Sequence, residues 1–304
     1  MNINSAYEEL SRYFSGEQIL QNESMKNHTS FHIGGKADIM VIPSSTEQVR
    51  RAVSICRDRN IPLMIMGNGS NLLVRDAGIR GVVIKIADGM RCITVEGEYI
   101  RAQAGALLSA ISSEALKHGL TGMEFASGIP GTIGGAVIMN AGAYDGEMKD
   151  IVDRVLVMDE NGNEAVLSRE ELAFGYRSSS LQNKFSVVLD VVISLIKGDY
   201  EESKAKIADF TRRRREKQPL AYPSAGSVFK RPPGYYAGKL IQDCGLKGLR
   251  VGDAQISELH SGFIINLGNA AAKDVIALIE IVKARVMAKF GVEMHPEIRI
   301  VGEE

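Results

Sequence analysis

The chain has 304 residues but only three cysteines, Cys56, Cys92 and Cys244, odd in number and far apart. A disulfide framework and a Cys-x-x-Cys metal or redox site are both excluded, and a reducing compartment is expected. Charge of one sign is lacking as well. Lys and Arg number 36 against 37 Asp and Glu, a net charge of −1. No overall basic field recommends a nucleic-acid or membrane partner. Long apolar runs are missing too: stretches such as Val187 to Ile196, with Asp190 inside, are far too short to span a bilayer. Met1 to Leu10 has no basic patch followed by an apolar run, so no signal peptide is visible. The five histidines (His28, His32, His118, His260, His295) show no paired metal-ligand spacing, and no metal is expected. A globular, cytoplasmic protein is the expectation. At roughly 150 residues per domain, the length suggests two domains or one with an insertion.

Glycine is what the chain has in surplus. There are 31, where about 21 are expected at a usual frequency of roughly 7%. Six of them (Gly128, Gly131, Gly134, Gly135, Gly142, Gly146) fall within 19 residues. Glycine lets backbone approach a ligand closely, so a local cluster is informative.

The hydropathy pattern predicts a strand over Lys36 to Ile42, then a helix capped by Ser45 or Thr46 and running to about Arg59. Strands follow at Leu63 to Met66 and Gly81 to Ile86. Hairpin signals begin at Cys92, with Ile93 to Val95 and Tyr99 to Ala102 flanking a Glu96-Gly97-Glu98 turn. A helix over Ala106 to His118 ends at Gly119. Strands at Ile151 to Met158 and Glu164 to Leu167 precede a capping box, Ser168 with Glu171. Val187 to Ile196 reads as a long buried strand. A helix from Tyr200 to about Lys217 leads into the proline-rich stretch Pro219 to Pro233. Helices over Gly238 to Cys244 and Ala272 to Phe290, and strands over Ser227 to Phe229, Gly262 to Asn266 and Glu297 to Val301, complete the chain.

Two loops carry the chemical signal. Gly67-Asn68-Gly69-Ser70-Asn71-Leu72 follows a predicted strand, and its amides can cradle a phosphate. The same sequence also suits an ordinary tight turn. It is neither a Walker A loop nor a Rossmann GxGxxG. Ser127-Gly128-Ile129-Pro130-Gly131-Thr132 runs on through Gly134 and Gly135 to Asn140 and Gly142. Thr132 is placed to open a short helix; the alternative is close packing of helix on sheet. Two such loops suggest a diphosphate held between them, as in a dinucleotide cofactor.

The ordered motifs GNGSNLLV (from Gly67), SGIPGTIGGAVIMNAGAY (from Ser127), FGYRSS (from Phe174), AGSVFKRP (from Ala225), CGLKGLRVGDAQIS (from Cys244) and HPEIRI (from His295) resemble those of the UDP-N-acetylenolpyruvoylglucosamine reductase (UDP-N-acetylmuramate dehydrogenase, MurB) family. The likeness runs from about Asn27 to Val301. It implies an α+β fold: an FAD-binding region of the PCMH/vanillyl-alcohol-oxidase type in two subdomains, plus a separate substrate-binding domain. The expected limits are 1–88, completed by a C-terminal strand over 296–304, then 89–200, then 201–295. The implied reaction is NADPH-dependent reduction of UDP-N-acetylglucosamine enolpyruvate to UDP-N-acetylmuramate in peptidoglycan precursor synthesis, by a protein expected to be a monomer. FAD is implied to be non-covalent, held by the two loops together with Arg214 and Arg299.

By the same resemblance, Arg177 clamps the substrate carboxylate, Ser227 donates the proton and Glu297 supports the enolate. Lys217 meets substrate phosphate, with Lys230, Arg231 and Gln255 as further contacts. A lone arginine is ordinarily a solvated surface side chain, and a serine at a strand start ordinarily structural, so these roles rest on the motifs. Two departures stand out. Arg231 occupies the place where some members carry asparagine, and the loop that brings a substrate-binding tyrosine in some members is absent before Tyr200. Tyr222, Tyr235 and Tyr236 are the candidates to replace it. Another FAD enzyme of the same fold, passing electrons to oxygen, and a non-catalytic UDP-sugar binder are the rival readings.

Overall fold

A computed structural model describes residues 3–304. The chain divides into two compact units. The first takes in the chain up to Gln21, Ile39–Asn68 and Gly81–Arg213; the second takes in Asn22–Asp38, Gly69–Arg80 and Arg214–Glu304.

In the first unit, Ser45 caps the Thr46–Asp58 helix, its hydroxyl accepting the Gln48 amide at 3.2 Å. Val49, Ala52, Val53, Ile55 and Cys56 form its buried face. Burial alone pushes the Cys56 thiol up to about 12, so it serves as packing rather than as a nucleophile. Strand Leu63–Met66 pairs in parallel with strand Ile79–Lys85, Leu63 opposite Val82 and Met66 opposite Lys85. A five-stranded antiparallel sheet follows, in the order Glu164–Ser168, Val152–Met158, Val187–Ser194, Tyr99–Gln103, Ile93–Glu96. Its central strand is buried at every position but Ser194. Each of its fully buried valines and isoleucines stabilises the unit by about 1.5–3 kcal/mol. Asp190 is the polar exception in that strand; burial raises its pKa, against the pull of Arg101, whose Nε lies 2.9 Å from Oδ1. Helix Ile133–Met139 packs on the central strand and Leu108–Lys117 on Tyr99–Gln103.

The second unit centres on a three-stranded antiparallel sheet, Arg250–Val251, Ala254–Ile256 and Ile264–Asn266. Helix Ala272–Phe290 lays Val275, Leu278, Ile279, Val282 and Val286 into the core at helical spacing. Asp76 receives the first free amides of that helix, Ala272 at 2.8 Å and Lys273 at 3.1 Å. Gly291, at φ +65°, ends it. Strand Arg299–Val301 pairs in parallel with Leu72–Val74. Among the described residues no helix is long and apolar enough to cross a membrane.

Most expected elements fall within two residues of their predicted ends, and two differ. Both bonds of the Ser168–Glu171 box form, at 2.8 and 3.4 Å, but they close a turn and not a helix. Ala173, at φ +42°, stops the chain from coiling further. Ser227–Phe229 makes single bridges to Phe263 and Pro296 in place of a ladder, because each flanking segment offers it one partner residue. Glu297 lies just ahead of the final strand, which starts at Arg299.

Candidate active site

In the first unit the two glycine loops meet. A Cβ on Gly67 would stand 2.3 Å from Thr132 Oγ1, so only glycine permits this approach. Asn68 Nδ2 donates to Pro130 O at 3.2 Å, fixing one loop on the other. Thr132 caps helix Ile133–Met139 and accepts the Gly135 amide at 3.5 Å. Gly134 proves to be a packing residue, with its Cβ position 2.8 Å from Ala104 Cβ. Ser127 is tied back to Glu124 O at 2.8 Å, and Ile129 packs against the core of the unit.

Asn140 is fully buried, at φ +41°. Its Nδ2 donates to Glu147 Oε2 (2.7 Å) and Gly175 O (2.9 Å), while Oδ1 accepts the Lys149 amide at 2.9 Å. With both amide hydrogens and Oδ1 engaged inside the unit, Asn140 holds the Gly142 hairpin against the turn that carries Arg177. That turn is closed by reciprocal Gly175 and Ser178 backbone bonds, and Arg177 sits in it at φ +53°. Such a conformation costs a non-glycine residue about 1–2 kcal/mol. Strain of this kind collects where a side chain must be presented. The Arg177 guanidinium donates to Gly142 O at 3.1 Å and lies 5.3 Å from the Tyr176 ring centroid.

In the second unit, Gly69 (φ +63°) packs so closely that a Cβ would stand 2.1 Å from His28 O. Asn71 bonds both ends of the last segment: Nδ2 to Glu297 O at 3.3 Å, and its carbonyl to the Arg299 amide at 2.9 Å. Leu72 lies opposite Arg299, whose side chain is exposed. Ser227 and Glu297 lie on two segments joined by backbone bonds, the Glu297 amide donating to O of Val228, the residue after Ser227, at 2.7 Å. Gly226, at φ +79° with open space where a Cβ would be, turns the chain into Ser227. The Lys230 amide bonds His295 O at 2.9 Å. Arg231 lies 4.0 Å over the exposed Tyr236 ring and donates from Nε to Tyr235 O at 3.3 Å. Gln255 is tethered to Gly248 O at 3.1 Å. In the arginine run, Arg212 and Arg213 pair with Asp209 in the first unit, and Arg214 is the one half-buried member. Lys217 and Tyr222 are exposed.

These residues fit a dinucleotide. Among the described residues of the first unit, the amides of Gly67, Asn68, Gly128, Gly131 and Thr132 have no acceptor within the chain. Backbone N–H groups in such number go unpaired only where a ligand or water takes them up. A phosphate group suits that donor set. Among the described residues no three His, Cys, Asp or Glu side chains gather to hold a metal ion.

Sequence reasoning missed the anchor of the Tyr200–Lys217 helix. Glu124 is 8% exposed and accepts from Thr121 Oγ1 (2.5 Å), Gly122 N (2.8 Å) and Ser203 Oγ (2.7 Å). Burial opposes its ionisation, but these donors outweigh burial and its pKa lies below the ordinary 4.5. Its partner Ser203 is 79 residues away, a distance no local pattern bridges.

Comparison with known proteins agrees with this geometry. Residues 37–168 match the FAD binding domain family, and 218–301 match the family described as UDP-N-acetylenolpyruvoylglucosamine reductase, C-terminal domain. A UDP-N-acetylenolpyruvoylglucosamine reductase of Caldanaerobacter subterraneus subsp. tengcongensis is 58% identical over 93% of both chains. The chain belongs to that reductase family. It is accordingly an FAD-dependent oxidoreductase. The crystal structure of the family's enzyme from Thermus caldophilus matches with a TM-score of 0.80 and 38% identity, over 92% of this chain and 98% of that one. An alkyldihydroxyacetonephosphate synthase shares the fold alone, with a TM-score of 0.51 and 16% identity over 65% of this chain and 41% of that one. In this family member only Gly198 and Asp199 separate strand Ile196–Lys197 from helix Tyr200–Lys217, leaving no room for a tyrosine-bearing loop.

Proposed function

We propose that the protein reduces UDP-N-acetylglucosamine enolpyruvate to UDP-N-acetylmuramate, with NADPH as reductant, as a cytoplasmic monomer supplying peptidoglycan precursors. The bond change is addition of hydride to the terminal vinyl carbon and of a proton to the carbon bearing the ether and carboxylate. Bound FAD supplies the hydride. The amides of Gly67 to Ser70 and of Gly128, Gly131 and Thr132 hold its diphosphate, with Arg214 and Arg299 adding positive charge.

Arg177 receives the substrate carboxylate, where negative charge grows as hydride adds; a guanidinium matches a carboxylate in a two-bond fork. The strained turn and the Gly142 carbonyl keep that fork from wandering. Ser227 hands its hydroxyl proton to the adjacent carbon. A hydroxyl is a weak acid, so it must be held where the developing enolate can reach it. Glu297, on the adjoining segment, supports proton delivery. Lys217, Lys230, Arg231 and Gln255 bind the UDP portion, in a chain divided into flavin subdomains over 1–88 and 89–200 and a substrate domain over 201–295. The observation that carries this reading is the 2.7 Å bond from the Glu297 amide to Val228 O, which fixes the proposed acid and its helper in one strip.

Ser227→Ala tests it. NADPH should bleach the variant's flavin as it does the parent's, while recolouring by the enolpyruvyl sugar slows at least 100-fold. Normal turnover by the variant would remove Ser227 from the mechanism.

A further inference from the structure

One side chain that the reaction does not yet use stands at the head of the strip that holds Ser227 and Glu297. His260 Nδ1 accepts the Gly262 amide at 3.1 Å. The Gly262 carbonyl accepts the Val228 amide at 2.9 Å, and the Val228 carbonyl accepts the Glu297 amide at 2.7 Å. Three hydrogen bonds in series thus run from the imidazole, past the residue after Ser227, to Glu297. Ser227 itself bridges to Phe263, next to Gly262. The point where a Cβ on Gly262 would lie is 3.1 Å from His260 Nδ1, 3.0 Å from His260 Cε1 and 3.8 Å from Ser227 Oγ, so ring and hydroxyl flank one spot.

The ring is itself held. Ser257 Oγ, in a buried residue, accepts the amides of Leu259 and His260 at 3.2 Å each. The Phe263 ring meets the imidazole edge-on, centroids 4.9 Å apart at 71°. Burial lowers the His260 pKa below the ordinary 6.5, with the Lys247 charge adding to it against a backbone bond that raises it. Acceptance from the Gly262 amide requires the Nε2–H tautomer of the neutral ring, in which Nδ1 carries no proton.

We propose that His260 is a positioning residue for proton delivery: by accepting the Gly262 amide it sets the turn against which the Ser227 hydroxyl is aligned. This rests on the reading of Ser227 as proton donor. It claims no proton transfer by the imidazole, only the placing of the group that makes one. Misplacement of a reacting group by a fraction of an ångström to one ångström slows its step by about 10- to 100-fold.

The test uses purified holoenzyme and compares its two half-reactions under anaerobic conditions. His260→Phe removes the acceptor but keeps a ring of similar size. Flavin bleaching by NADPH should match the parent, reoxidation by the enolpyruvyl UDP-sugar should slow about 10-fold or more, and the KM for that sugar should stay within about twofold. His260→Asn restores an acceptor without an imidazole and should recover reoxidation to within about threefold of the parent. Unchanged reoxidation in the Phe variant overturns the inference. So does equal slowing in the Asn variant, which alone decides the matter if the Phe variant fails to fold. A parent enzyme that the enolpyruvyl sugar cannot reoxidise would instead overturn the functional reading beneath it.

Discussion

The glycine contact of the first unit, Gly67 and Asn68 against Thr132 and Pro130, and the Ser227–Glu297 strip of the second are proposed to solve different problems by different means. The loops offer unpaired backbone amides. Their selectivity lies in what is missing, since a methyl at Gly67 would collide with Thr132 and their unpaired amides need only an anion. The strip places side chains, and its precision comes from hydrogen bonds in series among residues of ordinary composition. The proposed cofactor grip, built from glycine, advertises itself in sequence; the proposed proton-delivery strip, built from Ser, Val, Glu and His, does not.

Stability and binding measurements can break that contrast. The largest effect is expected at Gly67→Ala. Forcing a methyl to within 2.3 Å of Thr132 Oγ1 should cost about 1–3 kcal/mol of stability, seen in urea unfolding. FAD affinity should fall about tenfold or more. Adding Thr132→Ala removes the colliding oxygen, so the double variant should regain part of the loss, and simple additivity would show that the clash is not the cause.

Next comes Glu124→Gln, which leaves the loops and the strip alone. The buried carboxylate has three donors, and weakening them should cost about 1–3 kcal/mol at pH 7. The pH dependence has a definite sign. Because the folded pKa lies below 4.5, the carboxylate's contribution is present above that value and lost as pH falls through the folded pKa. The parent should therefore lose more stability than the variant between pH 6 and pH 3, and parallel losses would deny Glu124 that role.

The smallest effect is expected at Gly226→Ala. No atom lies within 4 Å of the added methyl, so the cost is the positive φ alone, about 1–2 kcal/mol. FAD content should be unchanged while reoxidation by the sugar slows. If flavin retention falls instead, the two regions are not separable in the way described.

How much of this the sequence made legible follows the same division. Helix Thr46–Asp58 was readable because Ser45 caps it and Val49, Val53 and Cys56 repeat at helical spacing. Strand Leu63–Met66 was readable because Pro62 and Gly67 bound it. Strand Ile19–Ser24 was not, since ILQNES offers one buried residue and no alternation. In the candidate site, the loops announced themselves through glycine density, whereas the roles of Arg177, Ser227 and Glu297 rested on resemblance. Asn140 looked like a cofactor contact and has its side chain occupied by Glu147, Gly175 and Lys149. His260 carried no signal, because its significance lies in partners set by the turn at Gly262 and the chain at Val228.

The most direct measurement is the visible spectrum of the purified protein under anaerobic conditions, taken before and after NADPH and again after the enolpyruvyl UDP-sugar. The account predicts a yellow protein, bleached by NADPH and recoloured by that sugar without oxygen. A protein that recolours only when oxygen is admitted, or stays colourless with added FAD, would contradict it.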